Sequence, residues 1–311
     1  MELHVDAVEL YGSVRGANFP KVMKCSDSHF YVVKKQNSIH GKRAVANELL
    51  ASLLLKRIGI STPEPAIVNC SGEFLRGVGL KPPERIILGD EDSSSRFWRP
   101  GLSFGSRIEF GGWKSIEDSP HQFYLPDYQL RYVKNLSEFI DIAAFDAWCC
   151  NMDARQAVFV RPIYSVGYKA LFIDHGMCFG GRNWNLELTR RHTVYNQTLV
   201  YESVYGFDAF MSVMERIYIR CSLESLQEDA SLIPREWYKD DERAFDDLLS
   251  DLASRRKTLP FLIDRLCQQK PNPFLNWSSN WKHHPQNAFL PSSFVKIPVR
   301  PMRRKMRAEV A

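Results

Sequence analysis

Long apolar runs are missing from this chain. No stretch of its 311 residues approaches the roughly 18 uninterrupted apolar residues that cross a bilayer as a helix, so no transmembrane segment is expected. Met1-Glu2-Leu3-His4-Val5-Asp6 has neither the basic start nor the apolar centre of an export signal, which makes the cytoplasm the expected location. Paired C-x-x-C spacing is absent too. The seven cysteines are scattered at 25, 70, 149, 150, 178, 221 and 267, which argues against a zinc site or a disulfide framework and leaves reduced thiols packed in a core. No internal repeat is visible, so a stacked array is not expected. What the chain does have is 44% hydrophobic and 25% charged residues, enough to bury a substantial core in one large domain or two lobes. Its net charge of +5 is concentrated at the end, where Lys296, Arg300, Arg303, Arg304, Lys305 and Arg307 face only Glu309.

Short β-forming runs open the chain, at 8–11, 21–25 and 30–34, separated by turn-prone residues at 12–18 and 26–28. They predict an antiparallel meander. Val45, Leu49, Leu53 and Ile58, with Leu50 and Leu54, then recur at helical spacing and Gly59 closes a helix that carries Glu48. Strands are expected at 66–68 and 102–108, with a polar connection of no assigned structure between them. Beyond about residue 113 the pattern turns helical. Asn135 and Glu138 have capping-box spacing before a helix running to Cys150, and further helices are expected near 207–221, 240–256 and 260–268, the last starting with Pro260. The order gives an α+β fold: a strand-rich lobe with one helix over 1–112, a mostly helical lobe over 113–270, and a tail over 271–311. Prolines 271, 273, 285, 291, 298 and 301 and the residues Trp277, Trp281, His283 and His284 mark that tail.

The chemistry concentrates around two carboxylates. Asp153 falls just past a helix end, and Asp174 follows the strand-like Ala170-Leu171-Phe172-Ile173. A hairpin formed by 157–160 and 168–173 brings both to one end of a ribbon. Two carboxylates so placed suit a metal-dependent phosphoryl transfer, one meeting the nucleophile and the other holding Mg²⁺. That reaction also needs a cation on the phosphates, which Lys34 at the end of its strand can supply, with Glu48 as its partner. The small residues at 12–18, Ser13 and Gly16 among them, offer backbone N–H groups to cover phosphates. Lys35 competes with Lys34 for this role, because neighbours in a strand point to opposite faces.

These residues resemble those of the HipA-like kinases over most of 5–270. The resemblance rests on Tyr31-Val32-Val33-Lys34, on Ala46-Asn47-Glu48-Leu49-Leu50 followed by Ile58-Gly59-Ile60-Ser61-Thr62-Pro63, and on Phe104-Gly105-Ser106-Arg107. Phe145-Asp146-Ala147-Trp148 with Asn151-Met152-Asp153, and Ile173-Asp174-His175-Gly176, complete it. It implies a bilobal protein-kinase-like fold in which 1–112 covers the nucleotide and 113–270 carries the catalytic hairpin. It further implies ATP and Mg²⁺ as cofactors, Lys34 on the phosphates held by Glu48, Asp153 as catalytic aspartate and Asp174 as metal ligand, with His175 where kinases have Phe. The implied activity is transfer of the ATP γ-phosphate to a serine or threonine of a protein substrate.

One departure bears on turnover. The kinase catalytic loop has an Asn five residues after its Asp, and here position 158 is Val. Gln156 or Asn151 can supply an oxygen instead; otherwise the chain is a nucleotide-binding pseudokinase, and adenylyl transfer is a third use of the same site. Arg155 reads either as a phosphate-positioning cation or as half of a structural ion pair, and Asp146 as a brace for the catalytic turn. Ser103, Ser106 and Arg107 read as strand and hinge residues. His283 and His284 have no third ligand at metal spacing. The basic tail suggests weak, salt-sensitive contact with nucleic acid or an anionic surface.

Overall fold

The computed structural model describes residues 3–14, 19–36, 41–80, 97–109, 121–161, 165–186 and 194–278. The expected lobe boundary at 112/113, Gly16, Trp281, His283, His284 and the basic residues from Lys296 onward lie outside the described residues.

Alternation of apolar and polar residues builds the first lobe. β1 (His4–Ser13), β2 (Lys21–Cys25) and β3 (Phe30–Lys34) form the expected antiparallel meander, and β4 (Pro65–Cys70) and β5 (Gly101–Arg107) complete a closed barrel in the order β1-β2-β3-β5-β4. Closure was not legible in the sequence. It depends on β1 being long enough to pair twice: its first residues run parallel to β4, His4 opposite Ile67, while its later residues pair with β2. Two register shifts in β1, at Ala7/Glu9 and Leu10/Gly12, bend it between the two partners. Gly105 in β5 has a packing reason, since a Cβ there would come within 2.6 Å of Val68 Cγ2 and 3.3 Å of Tyr31 Cδ1. In β3, Tyr31 and Val33 point into the barrel, so Val32 and Lys34 face the other way. A short helix, α2 (Gly72–Gly77), occupies part of the connection that had no assigned structure.

Helix α1 (Lys42–Ile58) joins the lobes. Its apolar stripe is unusually wide, with Val45, Leu49, Leu50, Leu54, Leu55 and Ile58 all buried, and polar Asn47, Glu48 and Ser52 are buried with them. Gly59 ends the helix at φ 78°, a left-handed conformation that glycine adopts without steric penalty. Arginines from and to the second lobe hold both ends: Arg43 bonds Asp241 (2.9 Å), Arg57 bonds Asp229 (2.7 Å), and Arg216 reaches the Ile58 carbonyl (3.0 Å).

The second lobe is mostly helical. It contains α3 (Asp127–Leu130), α4 (Glu138–Cys149), α5 (Met211–Arg220), α6 (Leu223–Ala230), α7 (Glu242–Arg255) and α8 (Leu259–Cys267). The sheet β6 (His121–Gln122), β7 (Gln156–Val160) and β8 (Lys169–Ile173) lies against them, and β7 and β8 form the expected antiparallel hairpin with Gln156 opposite Ile173. Trp277 and Phe274 pack near Phe210, so the start of the tail docks on the lobe as expected. The capping box at α4 does not form. Asn135 exchanges both bonds of its side chain with the Ala170 backbone, and Glu138 accepts from the N–H and hydroxyl of Ser61, because each finds a stronger geometric match across the fold than within its own turn. Among the described residues no helix is long and apolar enough to cross a membrane.

Phe139 joins α4 to the hairpin, its ring 5.0 Å from Phe172, 6.3 Å from Phe159 and 4.8 Å from Tyr195, with no solvent exposure. Phe139→Ala is expected to lower unfolding free energy by about 3–5 kcal/mol, the usual cost of a buried aromatic cavity, read from a denaturant titration monitored by circular dichroism.

Candidate active site

The turn that carries Asp153 begins where α4 stops. Cys150 takes a left-handed conformation at φ 54° as the residue that closes the helix, and the next N–H, of Asn151, bonds back to the Asp146 carbonyl (3.0 Å). Asn151 is buried; its amide donates to Asp146 Oδ1 (3.2 Å) and its Oδ1 accepts from the N–H of Asp153 (3.2 Å). Met152 N–H bonds to the Met177 carbonyl (3.0 Å), tying the turn to the loop that follows β8. Asp153 is left exposed, with one carboxylate oxygen accepting from the Ala154 N–H (2.8 Å). A short polar turn held at three points thus presents this carboxylate to solvent.

Arg155 points the other way. Its side chain has no exposure and grips Asp146 with two bonds, Nε to Oδ2 at 2.9 Å and Nη2 to Oδ1, while Nη1 donates to the Ile173 carbonyl (2.9 Å) and to His175 Nδ1 (2.7 Å). Burial opposes the guanidinium charge, but the Asp146 carboxylate outweighs it and holds Arg155 above its ordinary pKa. The phosphate-positioning use of Arg155 is therefore corrected: it braces the site from inside, and Asp146 braces the turn through this pair. Because an arginine only donates, His175 Nδ1 is the acceptor and its Nε2 carries the proton. That proton faces Thr62 Oγ1 at 3.3 Å, whose own hydrogen goes to the Phe172 carbonyl (2.9 Å). Burial, with Arg155 and Lys34 nearby, keeps His175 neutral and well below the usual histidine pKa.

On the open side, Asp174 leaves β8 in a left-handed conformation (φ 64°), which aspartate tolerates better than most residues. Lys34 reaches it across the lobes at 2.8 Å and also bonds Glu48 of α1. Glu48 accepts in addition from the N–H groups of His175 (3.0 Å) and Gly176 (2.9 Å). Burial disfavours the Lys34 charge, yet the two carboxylates more than compensate and raise its pKa; for Asp174, burial is likewise outweighed by Lys34, which lowers it. Burial pushes the Glu48 carboxyl up while Lys34 opposes it, and the cluster sets two carboxyl groups against one ammonium. Hard oxygen donors are what Mg²⁺ requires, so the residues fit that ion.

The remaining expectations divide. Gln156 lies beside Asp174, its amide donating to Oδ2 at 2.6 Å, and a half-turn of that amide presents an oxygen in the same place. Asn151, the other amide expected to supply an oxygen, uses both ends of its side chain inside the turn, its Nδ2 donating to Asp146 and its Oδ1 accepting from Asp153 N–H. Val158 is a buried strand residue packed on Val160 and Leu171. Lys35 is directed toward the Phe97 carbonyl (3.4 Å), away from Glu48, as strand alternation requires. Ser13 lies at the end of β1 with its hydroxyl accepting from Lys21 (2.6 Å). Ser103 and Ser106 are strand residues of β5. Asp146, Cys149 and Cys178 place ligand-type atoms within 4.8 Å of one another, but Arg155 and Asn151 occupy the carboxylate and burial pushes the Cys149 thiol far up, so Cys149 packs as a neutral thiol beside an ion pair. Asn47, buried one residue before Glu48, carried no sequence signal beyond its place in a quoted motif, and it proves to be heavily bonded.

A family model for HipA-like kinases matches residues 10–264. No curated protein matches the chain by sequence. Among solved structures, the Helicobacter pylori proinflammatory kinase CtkA is similar at 10% identity, covering 86% of this chain and 100% of that one with a TM-score of 0.51, a likeness of fold. The Golgi casein kinase, crystallised with Mn and ADP, aligns at 13% identity over 87% of this chain and 74% of that one with a TM-score of 0.43. The strand-rich first lobe, the helical second lobe and the hairpin are those of a kinase-like fold. Since the family model extends across both lobes and over every residue of the Lys34, Glu48 and Asp174 cluster, the chain belongs to the HipA-like kinase family.

Proposed function

We propose that this protein is an ATP- and Mg²⁺-dependent phosphotransferase that moves the γ-phosphoryl group of ATP to a serine or threonine hydroxyl of a protein, and that it works in the cytoplasm. The observation that carries this reading is the single Lys34 ammonium bonded to both Glu48 and Asp174. It joins the strand-rich lobe to the helix α1 and to the loop that follows β8. A bound divalent ion would neutralise charge on the phosphate oxygens, and Asp174, with the amide of Gln156, would hold it.

The chain's own groups divide the remaining work. Lys34 attracts the phosphates and is kept charged by its carboxylate neighbours. Asp153, exposed on a fixed turn, accepts the proton of the incoming hydroxyl. Gln156 supports turnover over the pseudokinase alternative: an amide three residues after Asp153 stands next to Asp174, so Val158 need not supply one.

Three outcomes are expected. Incubated with Mg-ATP and a mixed protein substrate, or by self-modification, the parent chain yields products heavier by one phosphate in intact-mass spectrometry; an increase the size of AMP would instead assign adenylyl transfer. Asp153→Asn lowers the rate by on the order of 10² to 10⁴ while retaining metal-dependent ATP binding, whereas Asp174→Asn loses that binding; no product and no binding in the parent would overturn the kinase reading. Gln156→Ala raises the Mg²⁺ concentration for half-maximal turnover roughly 10- to 100-fold, and an unchanged metal requirement would remove Gln156 from the metal site.

A further inference from the structure

Asn47 is 1% exposed and bonds along its whole amide. Its Nδ2 lies 3.0 Å from the Gly176 carbonyl, 3.0 Å from that of Cys178 and 3.1 Å from that of Gly181, and its Oδ1 accepts from the indole N–H of Trp184 at 2.7 Å. Trp184 fixes which way the amide points. An indole nitrogen can only donate, so the oxygen must face it and the NH₂ must face the three carbonyls. Glu48, the next residue, takes the N–H groups of His175 and Gly176. Two consecutive side chains of α1 therefore hold one loop, one accepting its donors and the other donating to its acceptors.

The far side of the same loop is bonded to the catalytic turn. Phe179 and Gly180 donate to the carbonyls of Cys149 and Cys150 (2.7 and 3.0 Å), and the Met177 carbonyl accepts from Met152, the neighbour of Asp153. Residues 175–184 thus lie between α1 and the end of α4, with Asp174 at one end and the Asp153 turn alongside. The loop's own backbone bonds, from Cys178 N–H to the His175 carbonyl and from Gly181 N–H to the Cys178 carbonyl, close single turns, so its placement against α1 and α4 depends on such anchors.

We infer that Asn47 is a positioning residue for phosphoryl transfer: by anchoring residues 176–184 to α1 it fixes the placement of Asp174 against the Asp153 turn, and so sets the affinity of the site for its metal ion. The inference rests on the kinase reading given above. It assigns to Asn47 no contact with nucleotide or metal; the residue acts through the loop.

The test uses the full-length chain and two variants. Asn47→Asp keeps the acceptor for Trp184 but sets a carboxylate against three carbonyls. Trp184→Phe keeps an aromatic ring against Phe245 and leaves Asn47 itself intact, losing the N–H that orients the amide together with the second ring of the indole under Arg43; a second variant at a different residue guards against one that does not fold. Hydrogen exchange read by mass spectrometry, and calorimetric ATP binding across a Mn²⁺ titration, are measured for each. In both variants, exchange within 175–184 should rise about tenfold while β7 and β8 stay protected, and the Mn²⁺ concentration for half-maximal ATP binding should rise roughly 10- to 100-fold, with ATP affinity at saturating Mn²⁺ unchanged. Unchanged exchange in both variants would overturn the anchoring role. Faster exchange with an unaltered metal titration would overturn the positioning role and leave Asn47 a purely stabilising residue. A parent chain that binds no ATP at any Mn²⁺ concentration would overturn the kinase reading, an outcome visible in the parent alone.

Discussion

A guanidinium with no solvent around it must find protein acceptors for its N–H groups, and Arg155 meets that demand by drawing together parts of the chain that are distant in sequence. Asp146 comes from α4, the Ile173 carbonyl from the end of β8, His175 from the loop that follows it and Cys178 from farther along that loop, at 3.8 Å. Buried ion pairs contribute little net stability, because desolvation offsets most of the attraction, but leaving one partner alone costs about 3–5 kcal/mol. Arg155 therefore acts as a constraint. Any conformation that moves Asp146 away from Ile173 and His175 strands a charge in the interior, and this is what holds the Asp153 turn and the Asp174 loop at one end of the hairpin. The neutrality of His175 follows from the same demand, since a protonated imidazole has no lone pair for Arg155 and would add a second positive charge beside it.

The open face of the site obeys the opposite logic. Behind it Arg155 and Asp146 cancel, while in front the one Lys34 ammonium faces two carboxyl groups, Glu48 and Asp174. The electrostatic imbalance is thus confined to the side that meets solvent. Glu48 is central to this division because it bonds in both directions, to Lys34 in the first lobe and to the backbone of His175 and Gly176 in the second.

Much of this could be read in the sequence, for physical reasons that differ from residue to residue. Lys34, Glu48, Asp153 and Asp174 were legible because each is fixed by an element whose periodicity is strong: Lys34 and Asp174 at the ends of strands, Asp153 just past a helix end, and Glu48 within a wide apolar helix. Strand alternation even separates Lys34 from Lys35 once the direction of Val33 is known. Gln156 and Asn151 were equivalent as amides near Asp153, and only the register of β7 on β8, Gln156 opposite Ile173, shows that Gln156 is the one beside Asp174. Arg155 could not be assigned a face from sequence, because the chain is between regular elements there. The closed barrel was hidden for another reason. It depends on a parallel pairing between β1 and β4, residues about sixty positions apart, and no local pattern encodes a pairing of that range. The failed capping box at Asn135 and Glu138 is the same effect in miniature, a local signal overruled by partners at Ala170 and Ser61.

The anchoring of α1 bears on how the Lys34 and Glu48 pair can be made and broken. Rotating this helix out of the site would separate Glu48 from Lys34, but it would also break the bonds of Arg43 to Asp241, of Arg57 to Asp229, of Arg216 to the Ile58 carbonyl, and all the contacts of Asn47. Arg216 holds Asp141 of α4 at 2.5 Å as well, so the end of α1 is fixed to the helix that leads into the catalytic turn. Each exposed pair among these contributes under about 1 kcal/mol, but Asn47 and Glu48 are buried, and leaving their polar atoms unpaired costs about 1–3 kcal/mol apiece. The side of α1 that carries chemistry is therefore the costly side to move.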